Sequence, residues 1–312
     1  MDAARLKDCL EGVTTIPVLP FAADGSADVD GHLRNVRYLL DNNGLAGGLQ
    51  RVVAVAGTSL IQHLDEEEQT PLIAATGREM GDQGALVSGI APQGGAADRL
   101  VLAQLQSERP PDAFLIMPLS GVYDPEGYLD TMRRLGDAHG PNGARFVVYM
   151  RNARDADAIR RLLTDSEYFV GVKIGTGTED VEAMVSAVGP DNMVIWGIGE
   201  LNSTAARKLG ARGHTSGTAI VAAGLADALS NAHRRGDYDE ALRLEDAIRG
   251  LEEIRFRHGR MYNYSAVVEA MILGGFDDVV AGEGHPLNPR VPAGIADEVL
   301  KALAPIRGYH AK

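Results

Sequence analysis

Short apolar runs rich in branched residues alternate along the chain with longer stretches whose apolar positions recur every three or four residues. The short runs read as buried strands at residues 13–18, 48–55, 85–90, 113–117, 145–150, 169–174, 193–197 and 214–218. They begin roughly 20–35 residues apart, the spacing of strand–helix units. Asp124-Pro125-Glu126 supplies an N-cap, a first-turn proline and an acid, predicting a helix to about residue 135. Thr178-Glu179-Asp180 predicts another to about residue 188, and 157–163 and 203–209 also carry helical spacing. Eight such units predict an α/β fold, a (β/α)8 TIM barrel over residues 1–222, with an open doubly wound sheet as the alternative. Residues 223–312 hold no convincing strand and read as a C-terminal helical region packed on the barrel or on a neighbouring subunit. Its clearest helix is 238–256, with Ala241, Leu244, Ile248, Leu251 and Ile254 on one face, followed by 261–273 and 294–303. No low-complexity linker separates the two parts, so tight docking is expected.

Composition narrows the setting. The 312 residues are 45% hydrophobic and 23% charged, ordinary for a globular protein. No apolar stretch approaches the ~18 residues of a membrane span. The N-terminus shows neither a basic nor an apolar leader region, and Cys9 is the only cysteine, so no internal disulfide is possible and a cytoplasmic location is expected. A net charge of −13 argues against nucleic acid and anionic membranes as partners. It leaves a small anionic substrate open. His63, His214, His258 and His285 lack metal-ligand spacing, so no metal and no cofactor are expected.

Lys173 sits toward the end of the run from Tyr168 to Gly175. An ammonium at the end of a buried strand is disfavoured by low dielectric, which leaves more of the neutral amine that attacks carbonyls. The same residue also reads as a lysine whose stem lets its charge snorkel to water. In a barrel, chemistry sits at the C-terminal strand ends. The second strand runs into Gly57-Thr58-Ser59, whose hydroxyls and backbone suit a carboxylate. The fifth ends in Tyr149, followed by Arg151 and Arg154, and the sixth in Lys173. Taken singly, Tyr149 reads as an amphipathic core residue, Thr58 and Ser59 as a turn or cap, and Arg154 as a solvated charge. Their joint position favours a site. Gly175-x-Gly177 and Gly197-x-Gly199 read mainly as loop turns, with Gly199 a candidate substrate contact. Glu200 reads either as a contact for a substrate hydroxyl or as a helix N-terminal acid.

These residues resemble the dihydrodipicolinate synthase and N-acetylneuraminate lyase family of class I Schiff-base aldolases, over residues 12–306. The run from Val13 to Phe21 with Asp24-Gly25-Ser26 is similar to the family's first strand and its D-G-S. Gly57-Thr58-Ser59 stands at its G-T-T carboxylate loop, and Leu64-Asp65-Glu66-Glu67-Glu68 follows like its L-T-x-E-E. Tyr149 and Arg154 keep the spacing of Y-N-x-P-x-R, and Val170-Gly171-Val172-Lys173 matches its v-G-i-K. Gly210-Ala211-Arg212-Gly213 with Ser216 matches G-A-x-G-x-x-S, and Gly236-Asp237-Tyr238 with Ala241 resembles G-D-x-x-x-A.

The resemblance implies that Lys173 forms an imine with a 2-oxo acid such as pyruvate. It implies that Tyr149 shuttles protons, Thr58 and Ser59 hold the carboxylate, and Arg154 meets the second substrate. It also implies a homo-oligomer, a dimer or tetramer. Departures argue against dihydrodipicolinate synthesis itself. The family's Gly-Glu after its G-T-T is Leu60-Ile61-Gln62 here, and its Tyr-Tyr pair is Leu119-Ser120, with Ser120 at the proton-relay position and Tyr123 nearby. Tyr149 is followed by Met150-Arg151-Asn152-Ala153, and Gly284-His285-Pro286-Leu287 replaces an Arg-Pro-Pro-Leu-like stretch. The leading expectation is carbon–carbon cleavage or condensation. The alternatives are a dehydratase of a deoxy-oxo sugar acid through the same imine, and a catalytically silent barrel with a binding role.

Overall fold

The computed structural model describes residues 1–93 and 95–310. Eight parallel strands close into a barrel in chain order: β1 (Val13–Thr15), β2 (Arg51–Val55), β3 (Gly84–Ile90), β4 (Ala113–Ile116), β5 (Phe146–Met150), β6 (Phe169–Ile174), β7 (Met193–Trp196) and β8 (Gly213–Ser216). β1 pairs with β2 and β8, which seals the ring and excludes the open-sheet alternative. β1 is shorter than expected because Pro17 has no amide to donate to a ladder.

Helices cover the strands on the outside. They are α2 (Val29–Asp41), α3 (Glu66–Met80), α4 (Ala96–Leu105), α5 (Pro125–His139), α6 (Ala156–Asp165), α7 (Glu179–Val188), α8 (Ser203–Lys208) and α9 (Ala219–Arg235), while α1 (Ala3–Leu10) lies at the N-terminal end. Asp124 caps α5 by accepting from the amides of Glu126 and Gly127, as its sequence predicts. Asp65 and Glu68 form a capping box that starts α3. Leu6, Cys9 and Leu10 of α1 join the inward-facing side chains of the strands and plug the N-terminal end of the barrel.

Three further helices follow: α10 (Tyr238–Arg260), α11 (Ser265–Gly274) and α12 (Ala293–Leu303). Ala241, Leu244, Ile248, Leu251 and Ile254 of α10 are buried in one core with α9, α11 and residues of β1 and β2. Residue 222, where the sequence suggests a division, lies inside α9, whose backbone departs from helical geometry at Ala222. The region beyond it is not free of strand: β9 (Gly284–His285) and β10 (Asn288–Pro289) form a small antiparallel hairpin. Two-residue strands are too short to leave a periodic pattern in sequence. No helix among the described residues is long and apolar enough to cross a membrane.

Helical geometry in α10 fails at Arg257, His258 and Gly259, and the chain leaves this break with Arg260 at φ 76°. A left-handed arginine is uncommon and costs local strain. The break turns α10 across the C-terminal mouth of the barrel, where Phe256, Gly259 and Arg260 line a cavity.

Candidate active site

β5 and β6 are in register with Tyr149 directly opposite Lys173. Neighbouring parallel strands project register partners to the same side, so phenol and amine share the barrel interior. The Lys173 Nζ lies 4.4 Å from the centroid of the Tyr149 ring. Both residues are almost wholly buried, and both line a cavity of about 240 Å³ at the C-terminal mouth. Beneath Lys173 the barrel is apolar, with Ile16, Ala54, Val87, Leu115, Val147 and Ile195 around its stem. Lys173 therefore does not snorkel to bulk water.

Burial is the main reason the Lys173 pKa falls below the ordinary lysine value. Tyr149 opposes that shift, while Arg260, Arg151 and Arg255 reinforce it by charge repulsion. For Tyr149 burial acts upward, but Lys173, Arg260 and Arg151 together outweigh it and its pKa is lowered. The phenol is thus easier to ionise and the amine easier to deprotonate, which suits a base beside a nucleophile.

Arg260 donates from Nη1 to the Tyr149 hydroxyl at 2.7 Å and from Nη2 to the Gly175 carbonyl at 2.8 Å. The Tyr149 hydroxyl in turn donates to the Gly197 carbonyl at 3.4 Å. Gly197 is constrained: a Cβ there would stand 2.7 Å from Lys173 Cγ and 2.6 Å from the Ile174 carbonyl oxygen.

The β2 loop forms a tight turn, Gly57–Ser59, that ends on Leu60 in a left-handed conformation. Gly57 and Thr58 reach the cavity. Ser59 is fully buried, its hydroxyl has no partner among the described residues, and its amide donates to the Ala56 carbonyl at 3.1 Å. Arg255 of α10 stands beside Thr58, since a Cβ on Gly217 would touch both the guanidinium and the Thr58 hydroxyl. Arg255 is buried, ion-paired with Glu252, and donates to Asn263 Oδ1 at 2.8 Å. Thr58 and Arg255 thus form one polar pole of the cavity.

Behind that pole lies a buried acid pair. The Glu200 amide donates to Glu252 Oε2 at 3.3 Å, and Thr218 donates to Glu200 Oε2 at 3.1 Å. Burial first, then the neighbouring Glu252, pushes the Glu200 pKa up to about 8. Glu200 is therefore neither exposed to substrate nor a simple solvated helix acid.

The remaining sequence candidates divide. Gly199 lines the cavity, whereas Ser216 is buried behind it, its hydroxyl within reach of Thr218 and Glu200. Ser120 is exposed on the loop after β4 and does not line the cavity. Arg154 turns away: its guanidinium sits 4.2 Å over the Tyr123 ring and 3.7 Å from Asp155, in an adjoining cavity of about 230 Å³. Arg151 takes the place at the mouth, 5.7 Å from the Tyr149 ring centroid. Arg255 and Arg260 are not sequence candidates. Two signals point to them: Glu252 and Arg255 stand one turn apart on the inner face of α10, and a glycine-containing break follows Phe256.

Residues 9–291 match the dihydrodipicolinate synthetase family. A probable 5-dehydro-4-deoxyglucarate dehydratase of Bacillus licheniformis is 25% identical over 56% of this chain, and the match spans about half, 54%, of that relative's length. The 4-hydroxy-tetrahydrodipicolinate synthase of Acidothermus cellulolyticus is 29% identical over 74% of this chain and 73% of its own. In structure, the dihydrodipicolinate synthase of Bacillus clausii superposes with a TM-score of 0.85, covering 96% of this chain and 98% of that one at 24% identity.

Proposed function

The chain belongs to the dihydrodipicolinate synthetase family of lyase-type enzymes, and from that premise we propose that it is a Schiff-base lyase of a 2-oxo acid. Lys173 is the imine-forming amine and Tyr149 the proton carrier. The observation that carries the reading is the register pairing of these two residues, with Nζ 4.4 Å from the phenol ring, inside one cavity.

Neutral Nζ attacks the C2 carbonyl of the acid, and the carbonyl oxygen leaves as water after taking up protons. The product is an iminium whose positive nitrogen accepts electrons from the neighbouring bonds. In aldol cleavage Tyr149 takes the proton of the C4 hydroxyl and the C3–C4 electron pair moves toward the iminium. An aldehyde leaves and an enamine remains. Protonation at C3 and hydrolysis then free the shortened 2-oxo acid and the lysine. Condensation runs the same steps backward. Thr58 and Arg255 receive the C1 carboxylate.

A second reading is supported by the likeness to the Bacillus licheniformis dehydratase. There Tyr149 removes a C3 proton from the iminium, and the enamine expels the C4 hydroxyl as water. Both readings use the same imine and differ in which bond breaks.

Incubation with pyruvate and borohydride, followed by intact mass and peptide mapping, tests the shared step. A reduced adduct on Lys173 is expected. Absence of an adduct with pyruvate and with a panel of longer 2-oxo acids would overturn the enzyme reading and leave a binding role. Release of pyruvate, as against loss of water from candidate sugar acids, then separates lyase from dehydratase.

A further inference from the structure

Glu200, Glu252 and Arg255 are shut away together behind Thr58, none of them more than 2% exposed. Arg255 donates to Glu252 from Nη1 and to Asn263 from Nε and Nη2. Among the described residues, those bonds take three of the five N–H donors of a guanidinium. Two are left for an acceptor in the cavity that Arg255 lines. Glu252 also accepts from the Glu200 amide, and Gly199 allows this approach, since a Cβ there would overlap Glu252 Oε2. Glu200 Oε2 accepts from Thr218, while its Oε1 has no donor among the described residues. The charged groups that face Glu200 are Glu252 and Arg255 of α10, and β8 with the turn after it adds the hydroxyls of Ser216 and Thr218. Two carboxylates on one guanidinium would leave a net negative charge and an unpaired oxygen in a dry place, which is costly. One proton on the pair removes both faults. The charges then balance, and the two acidic side chains, which stand within hydrogen-bonding reach, can share it.

We infer that Glu200 and Glu252 hold one proton between them, and that this proton keeps Arg255 open to the substrate carboxylate. The inference rests on the Schiff-base reading, in which Thr58 and Arg255 receive that carboxylate. It makes Glu200 a positioning residue, which acts through Arg255 without touching substrate. With the proton in place, the incoming anion meets a neutral cluster that still has free N–H donors. Once the proton leaves, the second carboxylate repels the anion and competes with it for the guanidinium. The direction with pH follows. Burial and Glu252 push the Glu200 pKa up to about 8, so the pair keeps its proton at neutral pH and loses it as pH rises through about 8. Carboxylate binding is therefore strong below that point and weaker above it. By the reciprocity of linked binding, a bound carboxylate also holds the proton more firmly.

The test compares pyruvate with pyruvamide, which has the same skeleton and no charge, by cyanoborohydride trapping at about pH 6.5 and about pH 9. Lys173 and Tyr149 titrate alike for the two ligands, so the ratio of half-saturating concentrations isolates the carboxylate. In the wild type the advantage of pyruvate should fall about 10-fold from the lower pH to the higher. In Glu200→Gln, whose side chain stays neutral, it should hold within about twofold. Thr218→Val removes a bond that favours the charged form of Glu200 and should move the fall to higher pH. A merely structural role would weaken both ligands together. An advantage indifferent to pH in the wild type, or one that falls equally in Glu200→Gln, would overturn the inference. If no 2-oxo acid forms an adduct, the Schiff-base reading fails, and thermal unfolding decides the role of Glu200 alone. Pyruvate but not pyruvamide should then raise the wild-type unfolding temperature at the lower pH only, and that of Glu200→Gln at both. No such rise, or one indifferent to pH in the wild type, overturns it.

Discussion

Arg260 holds the Tyr149 hydroxyl at 2.7 Å from a left-handed backbone conformation just past the break in α10. The pairing joins a residue of the C-terminal helices to the fifth barrel strand. It makes the hydroxyl an acceptor from a cation, which favours the phenolate.

Replacing Arg260 by Gln should therefore raise the Tyr149 pKa. Exchange of pyruvate methyl protons with solvent deuterium, followed by NMR, reads proton removal at C3. Its rate rises with pH as the phenolate forms, so that rise should move to higher pH in the variant. At neutral pH the rate should fall about 10- to 100-fold, the worth of one charge-assisted hydrogen bond. Arg260→Lys keeps the charge without the planar fork and should recover part of the loss. An unshifted pH profile in Arg260→Gln would show that the arginine does not act on Tyr149.

Tyr149→Phe removes the proton carrier but leaves the ring that packs against Lys173. Deuterium exchange is expected to drop by about 10²- to 10⁴-fold. Borohydride trapping should persist at a reduced rate. Equal exchange in the two proteins would assign the proton to another group.

Lys173→Met should abolish the adduct and also stabilise the fold, by about 1 kcal/mol or more at neutral pH, since a buried amine is replaced by an apolar chain. The sign with pH follows from the lowered pKa. Between that value and the ordinary 10.5 the unfolded chain binds the proton and the folded one does not, so wild-type stability climbs with pH there. Urea unfolding across that range should show the climb in the wild type and a flatter curve in the variant.

Glu200 gives the opposite sign. Its pKa rises from 4.5 to about 8 in the fold, so the folded protein keeps a proton that the unfolded chain loses. The stabilisation is complete below about pH 4.5 and is lost as pH rises through about 8. Glu200→Gln retains a neutral side chain of the same shape and should lose less stability between pH 5 and pH 8.5. Parallel losses in urea unfolding would show that Glu200 is ionised throughout.

Gly197→Ala places a methyl against the Lys173 stem and the Ile174 carbonyl. Trapping of pyruvate is expected to slow by about 10-fold or more because the amine is displaced. Stability should fall by about 1–3 kcal/mol. Wild-type trapping kinetics in a folded variant would mean that the stem has room to move.

Lys173 and Tyr149 were legible in the chain because each stands one residue from the end of a short buried run, and such runs are local patterns. Their exact pairing across β5 and β6 is a matter of register, yet both lie at strand ends and so meet in a closed barrel. The loop residues were less legible. Thr58 and Ser59 are adjacent in sequence, but a tight turn sends Thr58 to the cavity and Ser59 into the core. Arg154 keeps a familiar spacing from Tyr149, but Tyr123 offers a ring face and Asp155 a charge close by, and Arg151 stands at the mouth instead.

The order of apolar runs and caps determined eight strand–helix units and put Lys173 and Tyr149 near strand ends, because periodicity and capping act over a few residues, whereas closure into a barrel was decided by the pairing of β1 with β8. Tertiary structure alone decided the electrostatics of the site. Arg260 lies 111 residues from Tyr149 in the chain, and Arg255 reaches Thr58 only because α10 docks across the barrel mouth. Charges brought together by docking have no sequence period. Their effect depends on burial and distance, which exist only once the chain has closed.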